Sequence, residues 1–269
     1  MRCRSLTKLT LALATALLAA ASPASATSSC TLGATTVCFA EDILADPGFA
    51  SVPASSPNSS AAEMEFQLLI GAGNFETESF ESFTDGDHGP LNIFQGGALS
   101  VTGVLSDTVD SGGTVRMAPL DDAINRGFPI SSTNFWKNET VDTTSPELFR
   151  VTFSEEVRSF GFYATAWGTQ STTGATALVL DLIPMVGAPI TLVIPHSPDG
   201  NLAGSSFYYG VIADAPFIAA ALRNSTDIDG GDRIGFDEFT VAVVPEPSTA
   251  LLLSAGLLGI AAIGRRRSA

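Results

Sequence analysis

From about Glu63 onward, short runs rich in branched and aromatic residues alternate with turn residues, a pattern of strands rather than helices. The runs are Glu63–Ile70, Asn74–Phe83, Ala98–Leu105, Leu148–Phe153, Arg158–Thr165, Thr176–Ile183, Ile190–Ile194, Ser206–Ala213, Phe217–Arg223 and Ile234–Val243. Alternation is clearest at 158–165, where Phe160, Phe162 and Ala164 share one face and Ser159, Gly161 and Tyr163 the other. In the last run Phe236, Phe239 and Val241 do not share one parity, which predicts a bulge or burial on both faces. Ala215–Leu222 fits a strand or a helical turn. Pro129, Pro146, Pro184, Pro195 and Pro198 fall between runs, where they punctuate rather than interrupt. The fold class expected is all-β, a jelly-roll-like β-sandwich over residues 63–244.

The hydrophobic pattern changes at both ends. Residues 1–26 carry a basic start (Arg2, Arg4, Lys8), an apolar run from Leu9 to Ala21 and the small-residue site Ala24-Ser25-Ala26. This predicts a secretory signal peptide, cleaved after Ala26, and export into an oxidising compartment. Residues 27–62 read as an N-terminal appendage and linker, with Ala50–Ala62 rich in Ser, Pro and Ala. Cys30 and Cys38 lie in this stretch and suit a disulfide or, less well at that spacing, a redox pair.

The C-terminus has three parts in order: Pro245-Glu246-Pro247, an uncharged run from Ser248 to Gly264, and Arg265-Arg266-Arg267. Seventeen uncharged residues at about 1.5 Å each suffice for one transmembrane helix, and the arginines place its end in the cytoplasm. The residues alone fit a plain tail anchor or a sorting signal. Val244-Pro245-Glu246-Pro247-Ser248, the apolar run and the arginine cluster closely resemble the PEP-CTERM signal of exported bacterial surface proteins (such tails also carry the label ice-binding protein C-terminal domain). The resemblance implies an exosortase as processing partner, cleavage near the motif, and delivery from the membrane to the cell surface or an exopolysaccharide matrix. Asn74–Glu78, Val151–Ser154, Phe160–Tyr163 and Ile234–Phe239 also resemble landmarks of the β-sandwich ectodomains joined to such tails. Ala166-Trp167 departs from them, where an acidic residue often stands.

Charge narrows the partners. The chain has 13 basic and 28 acidic residues, and between 27 and 244 the balance is 7 to 27. That excludes nucleic acid as a partner, because its phosphates repel carboxylates. His88 and His196 lie in turn-like stretches, and no nucleophile elbow, zinc spacing or phosphate loop accompanies them. No catalytic residue is assigned. Calcium is the cofactor the carboxylates favour. Asp227, Asp229 and Asp232 with Asp237 form one candidate loop, which departs from the EF-hand pattern. Glu76 and Glu78 on the first strand with Asp237 on the last form the other; solvated carboxylates are the alternative to both. Trp136 and Trp167, with Tyr163, Tyr208 and Tyr209, are candidates for stacking on sugar rings, or are core. The expected function is a non-enzymatic surface or matrix protein, structural or binding extracellular polysaccharide. The alternative is a secreted polysaccharide-active hydrolase.

Overall fold

The computed structural model describes residues 29–43, 55–106, 113–118, 127–138, 147–166, 178–197, 205–224 and 234–243. Its framework is two strands of 19 residues each, β8 (Glu147–Thr165) and β11 (Ser206–Asn224). The sequence pattern breaks each of them in two. Both are continuous because they pair with each other on either side of an irregular stretch, with register shifts between Ile212 and Phe217 and between Phe217 and Ala219. At that stretch Ser154–Glu156 and Asp214–Ala215 are exposed, and the strands turn over. Phe149 and Phe160 measure the turn. Eleven positions of straight strand would separate them by about 36 Å, yet their ring centroids are 6.3 Å apart.

The sheet therefore has two facing layers. In one, β2 (Thr35–Asp42) pairs with the first half of β11, that with the second half of β8, and that with β12 (Gly235–Ala242). β1 (Cys30–Thr31) extends this layer beside β2. β3 (Phe75–Glu78) and β7 (Asn134–Lys137) pair along β12, and β6 (Thr114–Met117) follows β7. In the other layer β10 (Ile190–Val193), β9 (Leu178–Ile183), the second half of β11, the first half of β8, β5 (Gly103–Ser106) and β4 (Leu91–Ile93) lie in that order. By hydrogen bonding this is one 12-stranded antiparallel sheet. Two separate sheets were expected; they are one because β8 and β11 pass through both layers.

Aromatic rings fill the space between the layers. Phe149, from the first half of β8, packs on Phe162, Phe236 and Phe239 at 5.0–5.4 Å. Phe160, Phe162 and Ala164 all face this core, as their parity predicts. β12 reaches it out of phase. Its register against β8 shifts between Asp237 and Thr240, and Glu238 takes a positive φ of 50°. The extra residue brings both Phe236 and Phe239 inward.

The opposite face of the first layer is not solvated; a helix covers it. α1 (Pro57–Ile70) replaces the strand expected at Glu63–Ile70 and part of the linker expected before it. Ala62, Phe66 and Ile70, four apart, are buried, which is helical spacing that eight residues of apolar run conceal. Pro57 opens the helix, where its missing N–H costs nothing. Asp42 caps it from a neighbouring strand, accepting from the Asn58 and Ser59 amides at 3.1 and 2.9 Å and from the Ser59 hydroxyl at 2.7 Å. The helix lies close because Gly161 and Gly210, directly opposite each other, leave room for the Phe66 ring. Residues 29–42 are thus part of the sheet rather than an appendage. Among the described residues no helix is long and apolar enough to cross a membrane. The signal-peptide and tail-helix expectations fall outside the described residues.

Candidate functional site

The expected aromatic platform is not formed by Trp136 or the tyrosines. Trp136 is fully buried, flanked by Val115 and Phe236 in the adjoining strands and closely approached by Gly89 and Gly113. It sits on the core face of β7 and presents no ring to a ligand. Tyr163, Tyr208 and Tyr209 are buried too. Trp167, Asp227, Asp229 and Asp232 lie outside the described residues. Cys30 and Cys38 form the disulfide, across adjacent strands.

The strand-pair calcium site is not assembled. β3 and β12 are neighbours, as that site requires, with Glu78 opposite Phe239 and Glu76 opposite Val241. Their carboxylates are directed to different loops. Glu78 accepts from the amides of Phe80 and Phe94, and Glu76 from the amide of Leu99. Asp237 accepts from the amides of Ile130 and Ser131 at 2.8 and 2.9 Å and from the Ser131 hydroxyl at 3.0 Å. Each carboxylate fastens a loop. No three His, Cys, Asp or Glu side chains among the described residues converge as metal ligands.

What the fold does gather is a cluster of carboxyls and tyrosines between α1 and the sheet. Glu63 projects from the underside of α1 and accepts from the Tyr163 hydroxyl at 2.8 Å. Tyr208 lies beside Tyr163, ring centroids 5.0 Å apart, with its hydroxyl buried. Glu238, displaced by the bulge, feels the charges of Asp237, Glu63, Glu78 and Glu81. Burial first, and those like charges second, push its carboxyl up to about 7. Burial pushes Asp237 up to about 6 despite its amide donors. Glu63 and Glu78 are raised for the same reason, and the tyrosine hydroxyls are held protonated. Asp237 and Glu238 thus hold protons at a higher pH than free carboxyls do. Glu63 was hidden in the sequence by its reading as a strand residue. Glu238 was signalled only by the broken parity of its run.

The histidines sit apart from this cluster. His88 is exposed, 3.1 Å from the Thr114 hydroxyl. His196 is half-buried, stacked on Phe207, with the Leu178 amide donating to it at 3.3 Å.

The remaining functional element follows β12 directly. Residues 243–267 match the model of the PEP-CTERM protein-sorting motif. The chain carries a PEP-CTERM sorting signal. The PEP-CTERM motif implies an exported protein, sorted to the cell surface and processed by an exosortase. No curated protein sequence matches the chain. Among solved structures it is similar to the cleaved adhesin domain of Lys-gingipain from Porphyromonas gingivalis. That match has a TM-score of 0.35 and 12% identity, over 64% of this chain and 99% of the other. It also overlaps the enzymatically active domain of bacteriophage CBA120 tailspike protein 4, with a TM-score of 0.24 and 15% identity, over 65% of this chain and 20% of the other. Neither overlap is close enough to carry an argument.

Proposed function

We propose that the chain is a surface protein without enzymatic activity, held by its C-terminal apolar helix until an exosortase cuts near Pro245-Glu246-Pro247. Its folded-over sheet, read as a jelly-roll-like sandwich, then serves as a structural or carbohydrate-binding module of the surface or exopolysaccharide matrix. The observation that carries this reading is the sorting motif at 243–267, which starts where β12 ends at Ala242. The acidic body favours neutral or amino-bearing glycans, since anionic polysaccharide would be repelled. Calcium at Asp227, Asp229 and Asp232 remains part of the proposal.

Intact mass of protein extracted from an exosortase-positive host tests the sorting half. The expected chain lacks Met1–Ala26 and most of Ser248–Ala269. A chain still ending in Ala269 would reduce the tail to a plain anchor. Glycan-array binding without release of reducing sugar is the expected result for the body. Release of reducing sugar would favour the polysaccharide hydrolase instead.

A further inference from the structure

The strand registers place one edge of the molecule. Thr36, Ile212, Ser159, Ala242 and Phe75 stand side by side across β2, β11, β8, β12 and β3. At about 4.8 Å per strand this row is about 19 Å wide, and just past it β8 and β11 turn over into the other layer. At the opposite end Asp42, Ser206, Thr165, Gly235, Lys137 and Thr114 form a second row. Every connection beyond the first row therefore lies on the folded edge. Three matter here: the β1–β2 turn, whose Ala34 carbonyl accepts from the Asp214 amide; the β9–β10 turn, just past the Ile183–Ala219 pair; and the exit of the chain after β12.

That edge and its flank carry five of the ten large apolar side chains exposed among the described residues, the others being Ile43, Met64, Val104, Met117 and Val193. Leu32 in the β1–β2 turn is 73% exposed, and Met185 and Val186 in the β9–β10 turn are 67% and 87% exposed. Leu68 and Leu69, in the last turn of α1, flank it at 75% and 46%. Meanwhile only residues 244–247 separate Val243 from the apolar run beginning at Ser248. Fully extended they reach less than about 20 Å. A chain whose apolar run is in the bilayer therefore keeps the point where β12 leaves this edge within about 20 Å of the membrane.

We propose that the folded edge docks on the lipid surface while the tail is uncleaved, inserting the Leu32 and Met185–Val186 turns at the headgroup boundary with Leu68 and Leu69 beside them. This rests on the anchored-tail reading above. The partner is a zwitterionic phospholipid face, because Glu155, Glu156 and Asp214 are exposed on the same edge and would be repelled by anionic headgroups. Those charges also limit the depth to the two turn tips, about 5–10 Å. The tether makes the weak apolar contact sufficient, since it fixes the edge at high effective concentration next to the lipid. Exosortase cleavage removes the tether and thereby releases the edge.

Full-length protein made without exosortase and reconstituted into vesicles tests this. Leu32→Cys, Val186→Cys and Ile43→Cys variants carry a fluorophore, and bromine-labelled zwitterionic lipid acts as quencher. Ile43 is the control, as it is exposed and apolar but follows Asp42 at the opposite end. Strong quenching at 32 and 186, little at 43, and weaker quenching at 32 and 186 in anionic vesicles are expected. Equal quenching at all three positions, or none while the protein stays in the vesicles through a carbonate wash, would overturn docking and leave the anchor standing. Loss of the protein in that wash would overturn the anchor itself. Energy transfer between labelled copies without quenching would assign the edge to a second copy. Undiminished quenching in anionic vesicles would overturn the lipid assignment.

Discussion

At the scale of residues, single carboxylates tie distant parts of the chain together, and they do so with opposite responses to pH. Asp42 is buried and holds the first turn of α1 from β2. Asp42→Ala should cost about 1–3 kcal/mol in urea denaturation, as expected for removing the acceptor of several amide donors. Glu238 and Asp237 make stability depend on pH. Their folded-state values, about 7 and about 6, lie above those of an unfolded chain. The folded protein thus keeps protons that the unfolded chain gives up. The stability they contribute is complete at low pH and lost as pH rises through 6 and 7. Glu81 is held below the usual range by its amide and hydroxyl donors at Ser132–Asn134, so its contribution is lost as pH falls. Melting temperature at constant ionic strength should therefore be higher near pH 5.5 than near pH 8, and Glu238→Gln should flatten most of that difference. A melting temperature that climbs steadily from pH 5.5 to pH 8 would contradict this assignment.

At the scale of elements, β1, β2 and α1 behave as one unit with the sheet. An N-terminal disulfide outside the strand pattern would be dispensable, but Cys38 is fully buried under α1 and sits opposite Gly210 in β11. Replacing both cysteines by alanine should cost about 2.5 kcal/mol from loop closure alone, with the lost burial of Cys38 added. Native protein should show no free thiol at either position. The seat of α1 depends on absent side chains. A Cβ at Gly210 would stand 2.7 Å from the Phe66 ring, and one at Gly161 would strike the Tyr208 hydroxyl. Gly161→Val should loosen α1 while the sheet persists. Hydrogen exchange should then accelerate in 57–70 and stay slow in β8 and β12, whereas uniform acceleration would mean that helix and sheet melt together.

At the scale of the whole molecule, the two layers share the rings of one core. Phe149→Ala should cost about 3–5 kcal/mol, because that ring, in the first half of β8, packs on Phe160 and Phe162 in the second half. Much of this body was legible in the sequence. The parity of 158–165 and the mostly β character follow from spacing, and the broken parity of the last run allowed the bulge found between Asp237 and Thr240 as one of two outcomes. The continuity of β8 and β11 did not, since Glu155-Glu156 and Asp214-Ala215-Pro216 carry the signals of loop, and only the pairing partner decides otherwise. β4, β6 and β7 are three or four residues long, too short for a period to show. α1 was misread because Phe66, Leu68 and Ile70 alternate as a strand does, while Ala62, Phe66 and Ile70 also fit a helix. Of the candidate site residues, Trp136 failed because a large ring in a short central strand is core before it is a platform. Glu76, Glu78 and Asp237 were expected to share a calcium ion or to be solvated; instead each accepts from backbone amides of a different loop.

The way β12 leaves the sheet also decides how the body bears load. A surface protein tugged at its tail and gripped at the far end is pulled along the axis of this strand. The ladder joining β12 to β8 runs across that axis, with β3 bonded along its other side. Tension from the tail is therefore shared by many bonds at once instead of opening them one by one. Grip the same protein near Thr35, on the edge from which the tail departs, and the force turns sideways, peeling the strands apart. Pulled in an optical trap from Val243, the body should resist more when held at Ile43 than when held at Leu32. For this fold, strength under flow would be a property of where it is grasped.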